Sequence, residues 1–153
     1  MATQQLLKEL FLYDKTNGGL YWKNTGKRFG YTQDNLYRKG IVRGVGEREH
    51  RLVWTYHNGD IPEGLQIDHI DADGRKDDNR IENLRLATHA QNMSNSKSNI
   101  KKYKGVYPHG KNVFYTMCKN QYIGSFPTAE AAALAYNVAA RVFFGEFAKL
   151  NKI

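Results

Sequence analysis

The sequence predicts an α+β protein made of two small domains in tandem, and three observations support this prediction. Short segments with the alternation typical of strands are interspersed with amphipathic helical segments. The polar stretch MSNSKSNIKK at 93–102 separates two groups of such segments and has the composition of a linker. A length of 153 residues, 41% of them hydrophobic, suits one ordinary domain or two small ones. We therefore predict domains at 1–95 and 103–153, joined by a linker at 96–102.

The first predicted domain opens with an amphipathic helix and continues with strands. The helix lies at 3–11, where four apolar residues share one face: Leu6, Leu7, Leu10 and Phe11. The following segments are, in order, strands in TNGGLYW (16–22) and KGIVRGV (39–45), a helix at 51–57, strands at 65–70 and 84–87, and a helix from His89 towards Ser96. Asn58-Gly59 ends the second helix, and Thr88 is a suitable N-cap for the third.

The second predicted domain is a small sheet followed by one long helix. Strand-forming segments lie at 103–107, 112–119 and 121–126. Thr128 then caps a helix with the sequence AEAAALAYNVAARVFF, and Gly145 ends it. Because alanine side chains are small, this helix can approach the sheet closely.

The charge of the chain is unevenly distributed and indicates a polyanionic partner. The net charge is +8 overall. Residues 1–95 hold 14 basic and 13 acidic side chains, whereas residues 96–153 hold 9 basic and 2 acidic ones. An excess of +7 in the second part points to nucleic acid as the partner, although a well-solvated surface is the alternative interpretation.

Composition also excludes several classes of protein. Cys118 is the single cysteine, so an intramolecular disulfide and cysteine-rich zinc modules are excluded. No apolar run approaches the roughly 18 residues of a membrane helix, and the first residues do not have the pattern of a signal peptide. We therefore expect a soluble, cytoplasmic protein.

An acidic cluster stands out against this basic background. Six of the fifteen acidic residues fall within residues 68–82, where they would repel a polyanion unless something compensates them. A divalent cation is the simplest compensation, and an acidic surface loop is the alternative. An EF-hand is excluded, because aligning the loop places Arg80 where the bidentate glutamate is required.

The sequence around this cluster resembles the HNH endonucleases encoded by phages. The resemblance rests on IDHIDADGRKDDNRIENLRLATHAQN (67–92), preceded by HRLVW (50–54) and GLQIDHI (64–70), and covers about residues 8 to 95. One departure is visible: the loop from His69 to Asn83 is about two residues longer than in close relatives. The resemblance implies an HNH ββα-metal finger, in which two strands and a helix surround one metal ion.

The resemblance also implies roles for four residues in phosphodiester hydrolysis. His69 would be the general base, since a neutral imidazole has a suitable pKa near pH 7. Asp68 would bind the metal, and Asn92 on the following helix would supply the second protein ligand, with His89 as an alternative ligand. Asn83 would pin the loop and orient His69. Oxygen ligands of this kind suit one Mg²⁺ or Mn²⁺ ion per active site.

The other histidines and the basic run of the first domain receive simpler interpretations. His50 and His57 are expected to be structural rather than catalytic. A basic run precedes and enters the second helix, and part of it is expected to contact DNA phosphates; our candidates are Arg38, Arg43 and Arg51.

The second domain resembles an AP2-type DNA-binding domain. The resemblance rests on Lys104-Gly105-Val106, on IGSF (123–126), on TAE (128–130), on AALAYN (132–137) and on Leu150-Asn151. It implies that the exposed face of a three-stranded antiparallel sheet enters the major groove of double-stranded DNA. The candidate DNA-binding residues are Lys101, Lys102, Lys104, Tyr107, His109, Lys111, Tyr115 and Lys119. Lysine and tyrosine stand where arginine is expected, which favours phosphate affinity over base readout.

Taken together, the sequence predicts a site-directed DNA endonuclease with a single-metal HNH mechanism and a layout known from phage homing endonucleases. A DNA-binding regulator with an inert HNH domain is the first alternative, and a nonspecific HNH nuclease such as a toxin is the second. The target sequence, the number of strands cut, and the choice between monomer and homodimer stay open.

Overall fold

The computed structural model describes residues 2–32, 37–71, 76–95 and 102–153. It divides into two compact units, Met1–His89 and Ala90–Ile153. Both units combine helices with antiparallel strands, so the α+β class is confirmed. Apart from Lys102, the predicted linker lies outside the described residues. Within the described ranges, no helix combines the length and apolar character that crossing a membrane would take.

In its described residues, the first unit contains two α-helices, one short 3-10 helix (Ile81–Asn83) and three antiparallel strand pairs. Its elements are α1 (Gln4–Leu10), β1 (Phe11–Asp14), β2 (Gly19–Trp22), β3 (Lys39–Val42), β4 (Val45–Arg48), α2 (Glu49–Asn58), β5 (Gln66–His69) and β6 (Leu84–Ala87). The pairs are β1–β2, β3–β4 and β5–β6. Helix α1 is capped by Thr3, whose hydroxyl accepts a hydrogen bond from the amide of Leu6 at 3.3 Å.

Two local differences from the sequence prediction have simple causes. Phe11 begins β1 instead of ending the first helix, since β1 pairs with β2 along the register from Phe11 to Trp22. KGIVRGV forms a hairpin, not one strand. Arg43 and Gly44 have φ angles of 47° and 79°, and a two-residue turn of this kind matches the right-handed twist of the paired strands.

The core of the first unit lies between α1, α2 and the strand pairs. Its fully buried apolar members come from separate elements: Leu7, Phe11, Leu20, Phe29 and Val53. Trp22 and Trp54 are half-buried and pack against this cluster, as core residues should. The ring of Phe11 lies 4.2 Å from the ring of Trp22 and 5.8 Å from that of Phe29, measured between centroids.

The second unit contains the three-stranded sheet and the long helix that the sequence predicts. Its elements are β7 (Val106–Pro108), β8 (Phe114–Cys118), β9 (Gln121–Phe126) and α4 (Ala129–Phe144), preceded by α3 (His89–Ser94), which begins at the last residue of the first unit. The antiparallel strand order is β7-β8-β9. Thr128 caps α4 by accepting a hydrogen bond from the amide of Ala131 at 3.1 Å, and the helix ends before Gly145.

The sheet and α4 pack closely because small residues line their interface. Ala132, Ala133 and Ala140 are fully buried on the helix. Gly105 allows a similarly close approach: a Cβ atom on this residue would lie 2.3 Å from the ring of Tyr136, and its φ of 72° also favours glycine. Close contact of this kind supplies the dispersion energy of a small core.

A pair of asparagines ties the end of the chain to the start of the sheet. The side chain of Asn151 accepts a hydrogen bond from the amide of Lys104 at 2.7 Å and donates one to its carbonyl at 3.1 Å. The backbone of Asn151 in turn exchanges two hydrogen bonds with the side chain of Asn137 on α4, at 2.7 and 3.0 Å. Three separate segments are therefore joined at one point.

We expect Asn151→Ala to lower the free energy of unfolding of the second unit by about 1–3 kcal/mol, because both polar groups of the Lys104 backbone lose their partner. The midpoint of chemical denaturation measures the effect. Gln121→Ala, at an exposed position of β9, is the control and should change the free energy by less than about 0.5 kcal/mol. Equal midpoints for the two variants would contradict a clamping role for Asn151.

Candidate active site and nucleic-acid interface

The β5–β6 hairpin places Asp68 and His69 next to each other at the end of β5. In the antiparallel register Asp68 pairs with Arg85 and His69 pairs with Leu84. Successive side chains of a strand point to opposite faces, so these two diverge from one backbone. Both are 4% exposed, which makes them buried polar residues at the end of a strand.

Arg85 on β6 compensates the buried charge of Asp68. Its Nε and one terminal nitrogen lie 3.0 and 2.9 Å from Oδ2 of the carboxylate. Both side chains are shielded, with exposed fractions of 13% and 5%. A charge buried among apolar groups needs such a partner, and removal of one member of the pair would leave the other uncompensated.

The contacts of His69 include a hydrogen bond and two ring contacts. Its Nε2 lies 2.9 Å from Oδ1 of Asn79. The ring centroid lies 5.2 Å from that of His50 and 5.8 Å from that of Tyr37. Burial lowers the pKa of His69 below its ordinary value, although the Asn79 contact and the charge of Asp68 act in the opposite direction. The direction of this shift favours the neutral imidazole, the protonation state that a general base requires.

Glu49 supports the position of His69 indirectly, through Asn79. It is the first residue of α2 and is completely buried. Arg28 donates to both of its carboxylate oxygens, at 3.2 and 2.8 Å, and the amide of Leu20 donates at 3.1 Å. Asn79 donates its amide hydrogen to Oε2 of Glu49 at 2.9 Å. A continuous path of hydrogen bonds thus runs from Glu49 through Asn79 to His69.

Asn83 braces the loop between the two strands. Its Oδ1 accepts a hydrogen bond from the amide of Asp71 at 2.8 Å, and its Nδ2 donates to the carbonyl of Asp78 at 3.0 Å. Asn83 thus contacts both sides of a loop whose residues 72–75 lie outside the described part. Asn79, in the same loop, contacts His69 directly, and an orienting role for Asn83 stays a prediction.

Sequence reasoning missed Asn79 and Glu49. Asn79 stands in the stretch DDNR, whose composition predicts only a polar loop, and Glu49 at the first turn of a helix is ordinarily a solvated residue that favours the dipole. The sequence contains no signal for the burial of either one. Asn79 and Glu49 are 30 positions apart in the chain and come together only in the fold.

Arginines compensate part of the acidic cluster. Arg80 donates to both carboxylate oxygens of Asp78, at 2.9 and 2.8 Å, and these hydrogen bonds hold the pKa of Asp78 below its usual value. Asp68 is paired with Arg85, through one of its two carboxylate oxygens. Two carboxylates of the acidic cluster are therefore already neutralised by arginines. Their charge alone does not require a metal ion.

The donor set fits a hard divalent ion with few protein ligands. Within the described residues, no group of three or more His, Cys, Asp or Glu side chains could hold a metal. Mg²⁺ commonly binds through one or two carboxylates, keeps several waters and accepts substrate phosphates, so Asp68 with an amide oxygen would suffice. Asn92 lies on α3 within the second unit, and His89 is exposed at the end of the first. Their roles as ligands stay predictions.

The candidate DNA-binding residues of the first unit have different environments. Arg38 is directed inward: it donates to the carbonyls of Phe29 and Gly30 at 3.1 and 2.7 Å. Arg43 is exposed at the turn of the β3–β4 hairpin. Arg51 lines an open groove of about 580 Å³ beside this hairpin, together with Lys39 and Arg48. The lining of the groove therefore has three basic residues and one acidic residue, Glu47, whereas Arg38 is engaged with backbone carbonyls.

The candidate lysines of the second unit also differ in their exposure and in their contacts. Lys104 is half-buried, donates to the carbonyl of Ser94, and burial lowers its pKa. Lys102 is exposed and lies 3.0 Å from the carboxylate of Glu130. Lys111 and Lys119 are exposed in the turns between strands. Lys101 lies outside the described residues.

An aromatic row crosses the sheet of the second unit. The rings of Tyr107 on β7 and Tyr115 on β8 are 5.0 Å apart with an angle of 15° between their planes. His109 and Tyr122 extend the row, with centroids 6.0 and 6.4 Å from Tyr115. These side chains alternate with Val106 and Phe114, which pack with α4, so the row lies on the other face of the sheet. Tyr122 was not predicted from the sequence.

Comparison with known proteins bears on the region that carries Asp68 and His69. Residues 47–94 match the family model described as HNH endonuclease. An uncharacterized HNH endonuclease, L560 of Acanthamoeba polyphaga mimivirus, is 41% identical over 109 residues, which cover 68% of this chain and 57% of the viral protein. Protein 3.8 of Escherichia phage T7 is 44% identical over 62 residues, covering 39% of this chain and 50% of that protein.

The chain spans about half the length of these curated relatives. A solved structure titled "DNA binding and cleavage by the HNH homing endonuclease I-HmuI" is 30% identical to this chain, with a TM-score of 0.42. The match covers 56% of this chain and 50% of the chain in that structure. The family match spans α2, the β5–β6 hairpin, its loop and α3. Residues 47–94 are therefore similar to an HNH endonuclease domain, and the hairpin that carries Asp68 and His69 lies within this region.

Proposed function

We propose that the protein is a site-directed endonuclease that hydrolyses phosphodiester bonds of double-stranded DNA by a single-metal HNH mechanism. The observation that carries this proposal is the buried Asp68–His69 pair at the end of β5, within the region that matches HNH endonucleases. A neutral histidine adjacent to a carboxylate supplies the base and the anionic ligand that hydrolysis of a phosphodiester requires.

The residues of the chain divide the chemistry among them. His69 accepts the proton of the attacking water, because burial favours its neutral form and its ring is held by Asn79. Asp68 and Asn92 would hold the divalent ion. HNH nucleases generally use such an ion, and when bound it supplies Lewis-acid stabilisation of the phosphate charge and of the leaving oxygen. Mg²⁺ or Mn²⁺ suits these oxygen ligands.

We propose the sheet face of the second unit as the targeting surface, in the manner of an AP2 domain. The exposed lysines and the aromatic row support this proposal. Because Tyr107 and Tyr115 stack on each other, one face of each ring is already covered, which leaves fewer faces for stacking with the bases of a single strand. The exposed lysines of the same unit suit the phosphates of a duplex.

A homing role for a phage-type enzyme follows only from the proposed layout of nuclease and binding domains, and it is the most specific part of the proposal. The alternative is a DNA-binding regulator with an inert HNH domain. The observation in its favour is the ion pair of Asp68 with Arg85, which occupies an oxygen that a metal would use. Cleavage of supercoiled plasmid, scored for nicked and linear forms, separates the two functions.

We expect His69→Ala to lower the single-turnover cleavage rate by about 10²–10⁴-fold, the usual contribution of a positioned general base. DNA affinity measured by gel shift should change little, because the proposed binding face is untouched. His57→Ala, at the exposed end of α2, is a matched control and should cleave like the wild type. Wild-type cleavage by His69→Ala would remove this residue from the mechanism.

Cleavage should require Mg²⁺ or Mn²⁺ and stop when EDTA is added. Asp68→Ala and Asn92→Ala should each lower the rate by about 100-fold or more, since stabilisation by the ion amounts to several kcal/mol. Asp60→Ala removes an exposed carboxylate of the same unit and should have no effect. An anomalous Mn²⁺ peak at His89 or in the 71–78 loop, and not at Asp68, would show that the ligand assignment is wrong.

The two kinds of side chain on the proposed targeting surface should respond differently to salt. Lys111→Ala should weaken DNA binding and flatten the slope of log K against log salt by about 0.9, the value for one phosphate contact. Tyr115→Ala should weaken binding and leave the slope unchanged, because no charge is lost. Salt titrations of full-length variants measure both effects.

Lys15→Ala, at an exposed position of the β1–β2 turn, is the control for loss of a surface lysine. We expect its affinity and slope to match those of the wild type. If Lys111→Ala and Tyr115→Ala also bind like the wild type, the sheet of the second unit is not the targeting surface.

A further inference from the structure

The path of hydrogen bonds from Glu49 to His69 has a fixed direction. Asn79 lies between the two, with Nδ2 at 2.9 Å from Oε2 of Glu49 and Oδ1 at 2.9 Å from Nε2 of His69. Asn79 is 1% exposed and Glu49 is 0% exposed, so water does not compete for these contacts. A buried chain of polar groups is stable only when every donor meets an acceptor.

The chemistry of each group decides which atom donates. An ionised carboxylate only accepts hydrogen bonds, so the NH₂ group of Asn79 must face Glu49. The amide oxygen of Asn79 must then face His69, and this oxygen also only accepts. Nε2 of His69 is therefore the nitrogen that carries the proton. In a neutral imidazole the lone pair is then on Nδ1.

Further contacts of Glu49 and Asn79 prevent the side-chain amide of Asn79 from exchanging the positions of its oxygen and its NH₂ group. Arg28 and the amide of Leu20 donate to Glu49 and compensate its charge, so the carboxylate stays an acceptor in a fixed position. The backbone of Asn79 is fixed as well, because the β1–β2 turn packs directly on it. A Cβ atom on Gly18 would lie 2.1 Å from the Asn79 carbonyl carbon, an approach that only glycine allows.

The ring of His69 is also restrained against rotation. His50 meets it edge to face, at 5.2 Å between centroids and 61° between planes, and Tyr37 lies at 5.8 Å and 31°. A rotation of the imidazole that exchanged Nε2 and Nδ1 would have to displace these rings and break the bond to Asn79. The direction of the hydrogen bonds thus selects the tautomer, and the packing of the rings keeps Nε2 directed at Asn79.

We propose that Asn79 is a positioning residue that locks His69 in the Nε2–H tautomer. The role in cleavage rests on the proposed function, whereas the tautomer does not. Loss of an outer partner of a functional histidine commonly costs about 10–100-fold in activity. Asn79 acts only through His69 and touches no reacting atom.

The tautomer is measured directly by long-range ¹H–¹⁵N correlation spectra of the histidine rings in the full-length, ¹⁵N-labelled protein. The chain has five histidines, and the signal that disappears in His69→Gln identifies His69. We expect the Nε2–H pattern in the wild-type protein. An Nδ1–H pattern in the wild type would overturn the proposal without any variant or any activity being required.

Variants of Asn79 then test the cause. Asn79→Gln keeps an amide group, with an oxygen acceptor for His69 and an NH₂ donor for Glu49, and should retain the Nε2–H tautomer. Asn79→Leu has no acceptor, so we expect a mixture of tautomers and cleavage lowered by about 10–100-fold at unchanged DNA affinity. Amide spectra report whether each variant is folded. If Asn79→Leu does not fold, the wild type and Asn79→Gln still decide the outcome.

Tyr13→Phe is the matched control, because the hydroxyl of Tyr13 braces the same loop by accepting a hydrogen bond from the amide of Ile81 at 2.9 Å and does not contact His69. It should lower stability slightly and leave the tautomer and the cleavage rate unchanged. An unchanged tautomer in folded Asn79→Leu would overturn the positioning role. A wild-type protein that shows Nε2–H but cleaves no DNA would contradict the proposed function alone.

Discussion

The first unit depends on the burial of one carboxylate. Glu49 is withdrawn completely from solvent, and an isolated charge in such a place would be strongly unfavourable. Its oxygens are instead surrounded by donors from β2, from the segment that carries Arg28, and from the loop before β6. Removing a partner from such a group costs about 3–5 kcal/mol. Three segments that are distant in sequence are therefore fixed relative to α2 by one group.

The same constraint connects the stability of the domain to the geometry of its site. Asn79 is at once a donor that helps to satisfy Glu49 and an acceptor in contact with His69. The histidine therefore cannot move without disturbing the buried network, and the network cannot relax without releasing the histidine. Groups that must be held closely in place are commonly supported by such an outer layer of contacts.

Elements with strong local signals could be predicted from the sequence, and long-range contacts could not. Helix α4 follows from Thr128, the alanine pattern and Gly145, and β6 lies where its apolar run indicates. The β3–β4 hairpin was missed because Arg43 is an unusual residue for a left-handed turn. The motif places Asp68 and His69, but the inward direction of Lys104 and the burial of Asn79 depend on residues far along the chain, which periodicity does not report.

Two hairpin turns have a consequence for how the chain combines charge with conformation. Arg43 and Lys119 both adopt left-handed backbones, with φ angles of 47° and 50°, where a glycine would be free of strain. A side chain in this region costs about 1–2 kcal/mol. Each hairpin therefore carries a cation at its tip at the expense of local conformational energy. At these two positions a more stable turn and a more basic turn are mutually exclusive.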